Sequence, residues 1–326
     1  MLLLCVVLVM GLAALIGGAN LFVDGSAALA GKCKVPTLVI GLTVVALGTS
    51  APELAVSASA ALQGANEIAI SNVVGSNIFN LLCVLGVCAV IHPVPVEAGI
   101  LKRDLPVSIL ATALVFFLVG APSLLSGSLI QMGMEEQAGK LGRAAGSALA
   151  FLFAAYIGYL IRDAKRQPQR GEDTETVNWR AAKCFLFIGA GLALTVAGGQ
   201  AVVYGAKGIA RAAGMTETLI GLTIVAAGTS LPELVTSVVA ARKKETGLAV
   251  GNVAGSNIFN LLFILGVSAV IHPVAVNAAS VWDMGILLAA SLLAFIFLLS
   301  AKTLRRAEGI IMAVLYLAYM VYAITR

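Results

Sequence analysis

The side chains best placed to do chemistry in this chain are two glutamates inside strongly apolar stretches. Glu53 ends the hexapeptide GTSAPE at 48–53, and Glu233 ends GTSLPE at 228–233. Each glutamate follows a proline, which removes a backbone N–H and clashes with the carbonyl one turn earlier. Each hexapeptide is therefore predicted to break a helix and to place an acid beside the break.

The residues around each glutamate offer only oxygen atoms as ligands. The helix breaks free backbone carbonyls that cannot stay unsatisfied in hydrocarbon. Carbonyl, hydroxyl and carboxylate oxygens without His or Cys suit hard cations, namely Ca²⁺ and, by extension, Na⁺. A protonated, purely structural glutamate is the alternative. The candidate ligands in these segments are Ala46, Thr49, Ser50 and Glu53 in the first, and Ala226, Thr229, Ser230 and Glu233 in the second.

A second polar motif, GSNIFN, occurs at 75–80 and again at 255–260. Residues three apart share one helix face, so its two asparagines lie one turn from each other. Interhelical hydrogen bonding alone is one interpretation of these polar groups. We expect Ser76, Asn80, Ser256 and Asn260 to face the ions, and Asn77 and Asn257 to hold the broken helices.

Both motifs belong to an internal repeat. Residues 40–96 and 220–276 align without a gap at an offset of 180, and 36 of their 57 positions are identical. Glu53 is thereby matched with Glu233. A duplicated, broken, acid-bearing segment is what a cation site at the middle of a transporter requires.

The composition identifies an integral membrane protein. The chain is 60% hydrophobic and 11% charged, with a mean hydropathy of +1.01, whereas soluble domains carry about 25% charged residues. Ten apolar runs are long enough to span a bilayer, which predicts an all-α membrane fold. The predicted spans are 2–24, 37–61, 68–91, 105–121, 144–161, 184–206, 217–240, 247–271, 284–301 and 308–325.

The basic residues predict the topology. With both termini outside, 16 of the 21 Lys and Arg residues fall in inner loops, as the positive-inside rule requires. Five spans per half is an odd number, so the second half must have inverted topology. We therefore divide the chain into a five-helix repeat at 1–161, a polar cytoplasmic linker at 162–183, and a second five-helix repeat at 184–326. A prokaryotic inner membrane is the expected location.

Three other features receive structural interpretations. His92 and His272 are expected at helix ends as interfacial residues, and Asp24 is expected at the end of the first helix. The stretch 121–143 is interpreted as an outer loop, either a plain connector or one with an interfacial helix. The segment 2–24 is retained as a helix because it lacks the basic start of a signal peptide.

At these residues the chain resembles the sodium/calcium exchangers of the calcium/cation antiporter superfamily, in their compact prokaryotic form. The pattern G-[TS]-S-x-P-E followed by G-S-N-x-x-N carries the resemblance, which covers essentially the whole chain. The resemblance implies four cation positions between the second, third, seventh and eighth helices. It implies Ca²⁺ bound by Glu53, Glu233 and the Thr49 and Thr229 carbonyls.

The resemblance also implies sodium positions at Ala46, Ser50 and Ser76, mirrored by Ala226, Ser230 and Ser256. It further implies that the first and sixth helices slide past the rest. Potassium-dependent members carry Asp where this chain has Asn260, and both repeats have Asn here. Coupling to K⁺ is therefore not expected.

The sequence thus predicts a secondary antiporter that exchanges Na⁺ for Ca²⁺ by alternating access. A proton-coupled cation antiporter is the main alternative, and a passive cation channel is a weaker one. No nucleophile–base pair or metalloprotease motif appears in the spans, so an enzyme is not expected. Apart from the transported ions and the lipid bilayer, no cofactor, nucleic acid or protein partner is predicted.

Overall fold

A computed structural model of the chain describes residues 1–166, 179–215, 224 and 226–326. Within these ranges, eight helices are long and apolar enough to cross a membrane, or nine if a pair bent by 49° counts as one span. The helices are α1 (Leu2–Cys33), α2 (Thr37–Thr49), α3 (Ala51–Leu62), α4 (Glu67–Ile91), α5 (Ile100–Leu125), α6 (Arg143–Arg166), α7 (Ala181–Ala212), α8 (Ala226–Gly228), α9 (Leu231–Arg242), α10 (Thr246–Ile271), α11 (Ala278–Ser300) and α12 (Arg306–Thr325).

The fold is an α-helical membrane bundle, as predicted. Large apolar side chains such as Leu110, Phe151 and Leu317 are more than 60% exposed, which places them against lipid rather than water. Of the predicted spans, 217–240 lies partly outside the described residues, which contain only α8 and α9 of it.

Two helices form the centre of the bundle. Of the most apolar 18-residue stretch in each helix, 72% is buried in α4 and 78% in α10. The corresponding share is 22% in both α1 and α7. Both central helices contain a π-helical segment, Phe79–Val84 in α4 and Phe259–Ile264 in α10. The two segments are separated by the same 180 residues as the repeat, and π-helical turns occur often at functional sites.

Helices α1 and α7 cross in antiparallel directions at very short range. A Cβ atom added to Gly18 would lie 2.5 Å from Thr195 N, and one added to Gly25 would lie 2.9 Å from Ile188 N. Side chains at these positions would collide with backbone, so only glycine allows the approach. Gly18 and Gly25 are seven residues apart. In α7, Gly191, Gly198 and Gly205 have the same spacing, and the last two lie 180 residues after Gly18 and Gly25.

The outer helices of each half pack on the core of the other half. In α6, Gly146 lies against the Gly266 carbonyl of α10, where an added Cβ would be 2.7 Å away. In α12, Gly309 lies against Gly86 of α4 at a similarly short range. The two halves are therefore interlocked rather than placed side by side.

Two short antiparallel ladders close the connections. Strand β1 (Val94–Pro95) pairs with β4 (Thr303–Leu304), and β2 (Gln137–Leu141) pairs with β3 (Val274–Asn277). The stretch 121–143 thus holds a 3₁₀ turn at Ser128–Ile130 and strand β2. It contains neither a plain connector nor the interfacial helix that we considered.

Several helices run past their predicted ends. Helix α1 continues to Cys33, so the prediction that Asp24 lies at a helix end is wrong. Lys102 lies in the first turns of α5 and Arg211 lies in the last turn of α7. Long basic side chains can reach the interface from within a helix, so a charge does not have to end it. Helix α6 likewise extends to Arg166, into the predicted linker, whose residues 167–178 lie outside the described ranges.

Candidate cation-binding site

The two helix breaks have nearly the same backbone geometry. Ser50, between α2 and α3, has φ −83° and ψ 10°, and Ser230, before α9, has φ −93° and ψ 8°. Pro52 and Pro232 occupy the first turn of the helix that follows, where a missing N–H is tolerated. The next backbone bonds run from Leu54 N to Ser50 O and from Leu234 N to Ser230 O, both at 3.1 Å.

Because proline has no N–H, the carbonyls of Gly48 and Gly228 lose their helical donors. The glutamates then lie in the first turns of α3 and α9. The positive end of each helix dipole therefore points at a carboxylate. The carbonyl-rich end of α2 lies on the other side of the same break.

Each glutamate is held by a serine from the opposite half. The Ser230 hydroxyl donates to Glu53 Oε1 at 2.8 Å, and the Ser50 hydroxyl donates to Glu233 Oε1 at 2.7 Å. Ser76 Oγ lies 3.5 Å from Glu53 Oε1, and Ser256 Oγ lies 2.9 Å from Ser50 Oγ. Both carboxyl groups are completely buried. The structure thus brings both predicted acids and four predicted serines into one site.

Several oxygens in this site are buried without a hydrogen-bond partner among the described residues. A buried acceptor without a partner costs about 1–3 kcal/mol. A cluster of them around two acids therefore indicates room for bound cations or protons. The unpartnered acceptor oxygens are Glu53 Oε2, Glu233 Oε2, Asn80 Oδ1, Asn260 Oδ1 and Thr229 Oγ1.

Three of the other predicted ligands already make a hydrogen bond through at least one atom. The Ala46 carbonyl accepts from Ser50 N at 3.0 Å. Thr49 Oγ1 lies 2.9 Å from Asn252 Oδ1. Asn260 Nδ2 donates to Asn77 Oδ1 at 3.0 Å. Ala226, the last of the predicted ligands, lies at the start of α8.

The asparagines Asn77 and Asn257 do not hold the broken helices, contrary to our expectation. Asn77 Nδ2 donates to Asn257 O at 3.1 Å, and Asn257 Nδ2 donates to Asn77 O at 3.4 Å. They bridge α4 to α10 instead. The reason is that these two central helices cross directly, so side chains at their crossing meet each other first.

The broken helices are held by a pair that the sequence reasoning missed. Asn72 Nδ2 donates to Glu53 O at 3.2 Å and to Ser57 Oγ at 2.9 Å. Asn252 Nδ2 donates to Glu233 O at 3.4 Å and to Ser237 Oγ at 2.9 Å. The sequence contained a signal for this pair, because Asn72 and Ser57 are matched by the identical residues Asn252 and Ser237 in the second copy of the repeat.

A cavity of about 460 Å³ approaches the site from one end of the bundle. It lies between α7 and the two prolines of the breaks. Its lining includes Thr229, which precedes Ser230 of the site, and Tyr204, Lys207 and Arg211 of α7. This end carries the start of α1, because Leu4 also lines the cavity.

The opposite end is closed over the same helices. Lys243, just after α9, forms an ion pair with Asp24 of α1 at 2.6 Å and donates to Asn20 O at 3.3 Å. Burial raises the pKa of the neighbouring Glu245, the Asp24 carboxylate raises it further, and Lys243 lowers it. Among the described residues, the cavity thus approaches the site from one end, and the Asp24–Lys243 ion pair lies at the other end.

Comparison with known proteins identifies the family of this chain. The family model described as "Sodium/calcium exchanger protein" matches residues 3–162 and 183–325. The chain belongs to the sodium/calcium exchanger family. This is a family of ion transporters, so the chain is an integral membrane transporter.

Individual relatives of the exchanger family cover nearly the whole chain. The sodium/calcium exchanger MaX1 of Methanosarcina acetivorans is 35% identical over 97% of both sequences. The inner membrane protein YrbG of Escherichia coli is 34% identical over 84% of this chain and 81% of its own length. A structure of the sodium-calcium exchanger NCX_Mj soaked with Na⁺ and Ca²⁺ is 30% identical and superposes with a TM-score of 0.82 over 98% of both chains.

Proposed function

We propose that this chain is a secondary antiporter that exchanges Na⁺ for Ca²⁺ across the membrane by alternating access. The observation that carries the proposal is the crossed pair of buried acids, Glu53 bonded to Ser230 and Glu233 bonded to Ser50, each with one carboxylate oxygen unpartnered. The names of MaX1 and NCX_Mj, both sodium/calcium exchangers, point to the same ions.

The proposed ligands are all oxygens and come from both halves. Ca²⁺ takes six to eight oxygen ligands at about 2.3–2.6 Å. We assign it to Glu53, Glu233 and the Thr49 and Thr229 carbonyls, because a divalent ion neutralises both carboxylates. The remaining groups, assigned to sodium positions or to the wall facing the ions, are Ala46, Ser50, Ser76, Asn80, Ala226, Ser230, Ser256 and Asn260.

Charge explains why exchange would be obligatory. Enclosing two uncompensated carboxylates in the low-dielectric middle of the membrane is costly, since one charged side chain costs about 2.5–3.5 kcal/mol even on insertion scales. One Ca²⁺ cancels both charges, and Na⁺ ions cancel them in turn. The loaded carrier can therefore change sides while the empty carrier cannot.

The proposed architecture is ten spans in two inverted five-helix halves. Supporting it are the 180-residue offset, the matching φ and ψ of Ser50 and Ser230, and the antiparallel crossing of α1 and α7. The positive-inside bias places the linker in the cytoplasm and both termini outside. The relative YrbG, an inner membrane protein, supports a bacterial inner membrane.

The function is tested by radioactive calcium uptake into proteoliposomes with three imposed conditions: an outward sodium gradient, a proton gradient, or none. The sodium gradient should drive Ca²⁺ to accumulate above its equilibrium level, and external Na⁺ should release it. Control vesicles without protein set the leak.

The other two arms separate the alternatives. Accumulation driven by the proton gradient and indifferent to sodium would identify a proton-coupled antiporter. Calcium entry without any counter-ion, stopping at equilibrium, would identify a channel. Either result would overturn sodium/calcium exchange.

A further inference from the structure

One polar contact is made in one half of the molecule and absent from its mate. Thr49 Oγ1 lies 2.9 Å from Asn252 Oδ1, nearer than the Val45 carbonyl at 3.1 Å. Thr49 and Asn252 are both completely buried. Since Asn252 Nδ2 also donates to Glu233 O and Ser237 Oγ, one amide connects the end of α2 to the start of α9.

The matching residues 180 positions away make only part of this pattern. Asn72 Nδ2 donates to Glu53 O and Ser57 Oγ, as its mate does. The Thr229 hydroxyl, however, makes no hydrogen bond to Asn72 in the part of the chain that the structure describes, although it faces Glu53. Asn72 is also half-buried, whereas Asn252 has no exposed surface.

The missing contact lies on the side of the site that faces the cavity. Thr229 lines this cavity and precedes Ser230, which is bonded to Glu53. Thr49 and Asn252 lie toward the other end, where Lys243 pairs with Asp24. The threonine–asparagine bond is thus formed at the closed end and absent on the side of the cavity.

We propose that Asn252 and Asn72 are positioning residues that work alternately. Each accepts a hydrogen bond from the threonine of the opposite half only when its own side of the site is closed. In the form that is open at the Lys243 end, Asn72 would bind the Thr229 hydroxyl and Asn252 would release Thr49. This inference rests on the inverted alternation proposed above.

A bond present in only one of two forms shifts the balance between them. One neutral hydrogen bond changes an equilibrium by about two- to tenfold. Removing the Thr49 hydroxyl should favour the form open at the Lys243 end, and removing the Thr229 hydroxyl should disfavour it. The opposite signs are the signature, because general loss of packing would not produce them.

The test uses Thr49→Val and Thr229→Val, which keep side-chain shape and the backbone carbonyls. Each is combined with one reporter, Asn20→Cys at the closed end or its mate Gln200→Cys in the cavity. The background replaces the five native cysteines and must first show the thermal unfolding midpoint of the unmodified protein in detergent. The readout is the rate of modification by a membrane-impermeant thiol reagent in detergent.

Thr49→Val should raise the modification rate at Asn20→Cys by about two- to tenfold, and Thr229→Val should lower it by a similar factor. Gln200→Cys should move in the opposite direction or stay unchanged, and Thr49→Ser should restore the original rates. Thr49→Ala replaces the valine variant if that does not fold.

Rates at Asn20→Cys that move together in both variants, or that do not move, would overturn the proposal. The readout needs no ion flux, so it remains decisive even if calcium uptake shows that the transported ions have been assigned wrongly. If calcium uptake fails but the two threonine variants shift the labelling rate in opposite directions, only the proposed exchange function is wrong.

Discussion

The two halves of the molecule are nearly identical at the centre of the membrane and differ at its ends. At the centre, Ser230 to Glu53 and Ser50 to Glu233 measure 2.8 and 2.7 Å. At one end Lys243 pairs with Asp24. The residues that match this pair at the other end are Gln63 and Tyr204, neither of which carries a charge.

This difference separates two requirements of a carrier. The binding groups must look alike from both sides, because the same ions are taken up and released in both forms. The ends carry no such constraint and can set which form is more populated. Symmetry at the centre with asymmetry at the ends is therefore an arrangement in which affinity and bias are tuned independently.

The largest expected effect comes from the central acids. Glu53→Gln and Glu233→Gln should each lower sodium-driven calcium uptake by about a hundredfold or more, since losing one partner of a buried charged contact costs about 2–5 kcal/mol. Because the two halves are nearly identical at the centre, the two variants should lose calcium uptake by the same factor. Glu67→Gln, at the exposed start of α4, is the control; a tenfold difference between the two site variants would show that the halves are not equivalent.

Proton competition should be the next largest effect. Ca²⁺ binding requires both carboxylates deprotonated, so lowering the pH must weaken it. Each displaced proton contributes about a tenfold change in apparent calcium affinity per pH unit. The slope of log affinity against pH, measured by isothermal titration, should exceed one if both acids act as a pair. A slope of zero would contradict a site built on carboxylates.

The crossing of α1 and α7 offers a sharper structural comparison. Gly18→Ala should destabilise the protein by about 1–3 kcal/mol, because its Cβ would overlap the Thr195 backbone. Its neighbour Gly17 has nothing within 4 Å of an added Cβ, so Gly17→Ala should be neutral or stabilising. Thermal unfolding in detergent measures both; equal midpoints would mean that the close crossing is absent.

The smallest effect is expected from the ion pair at the closed end. Asp24→Asn and Lys243→Gln should each favour the form open at that end by a few-fold, since an exposed pair contributes about 0.2–1 kcal/mol. The change should appear as different calcium affinities in right-side-out and inside-out vesicles. The double exchange of the two charges should restore the original ratio, and high salt should abolish the difference.

The sequence was most informative where chemistry repeats. Glu53, Glu233 and the serines beside them could be predicted because an acid in an apolar run has few explanations and two copies have fewer. Ser76 and Ser256 followed from the same repeat. The apolar runs likewise predicted most of the helices. The observed helices extend beyond the predicted ends where Lys and Arg side chains lie within a helix.

Tertiary contacts could not be read in the same way. Asn72 and Asn77 are both asparagines of the buried helix α4, five residues apart. Only the crossing of α4 with α10 decides which of them contacts a broken helix. The Asp24 partner lies 219 residues away. Strand β2 is too short for its alternation to stand out, since it forms only by pairing with β3.

The exchange of outer helices between the halves has a consequence for biosynthesis. Helix α4 emerges early from the ribosome, yet Gly86 must wait for Gly309, which is made more than two hundred residues later. Until then this glycine face lacks its final partner. The nascent first half is thus an assembly intermediate whose final packing is supplied by α12.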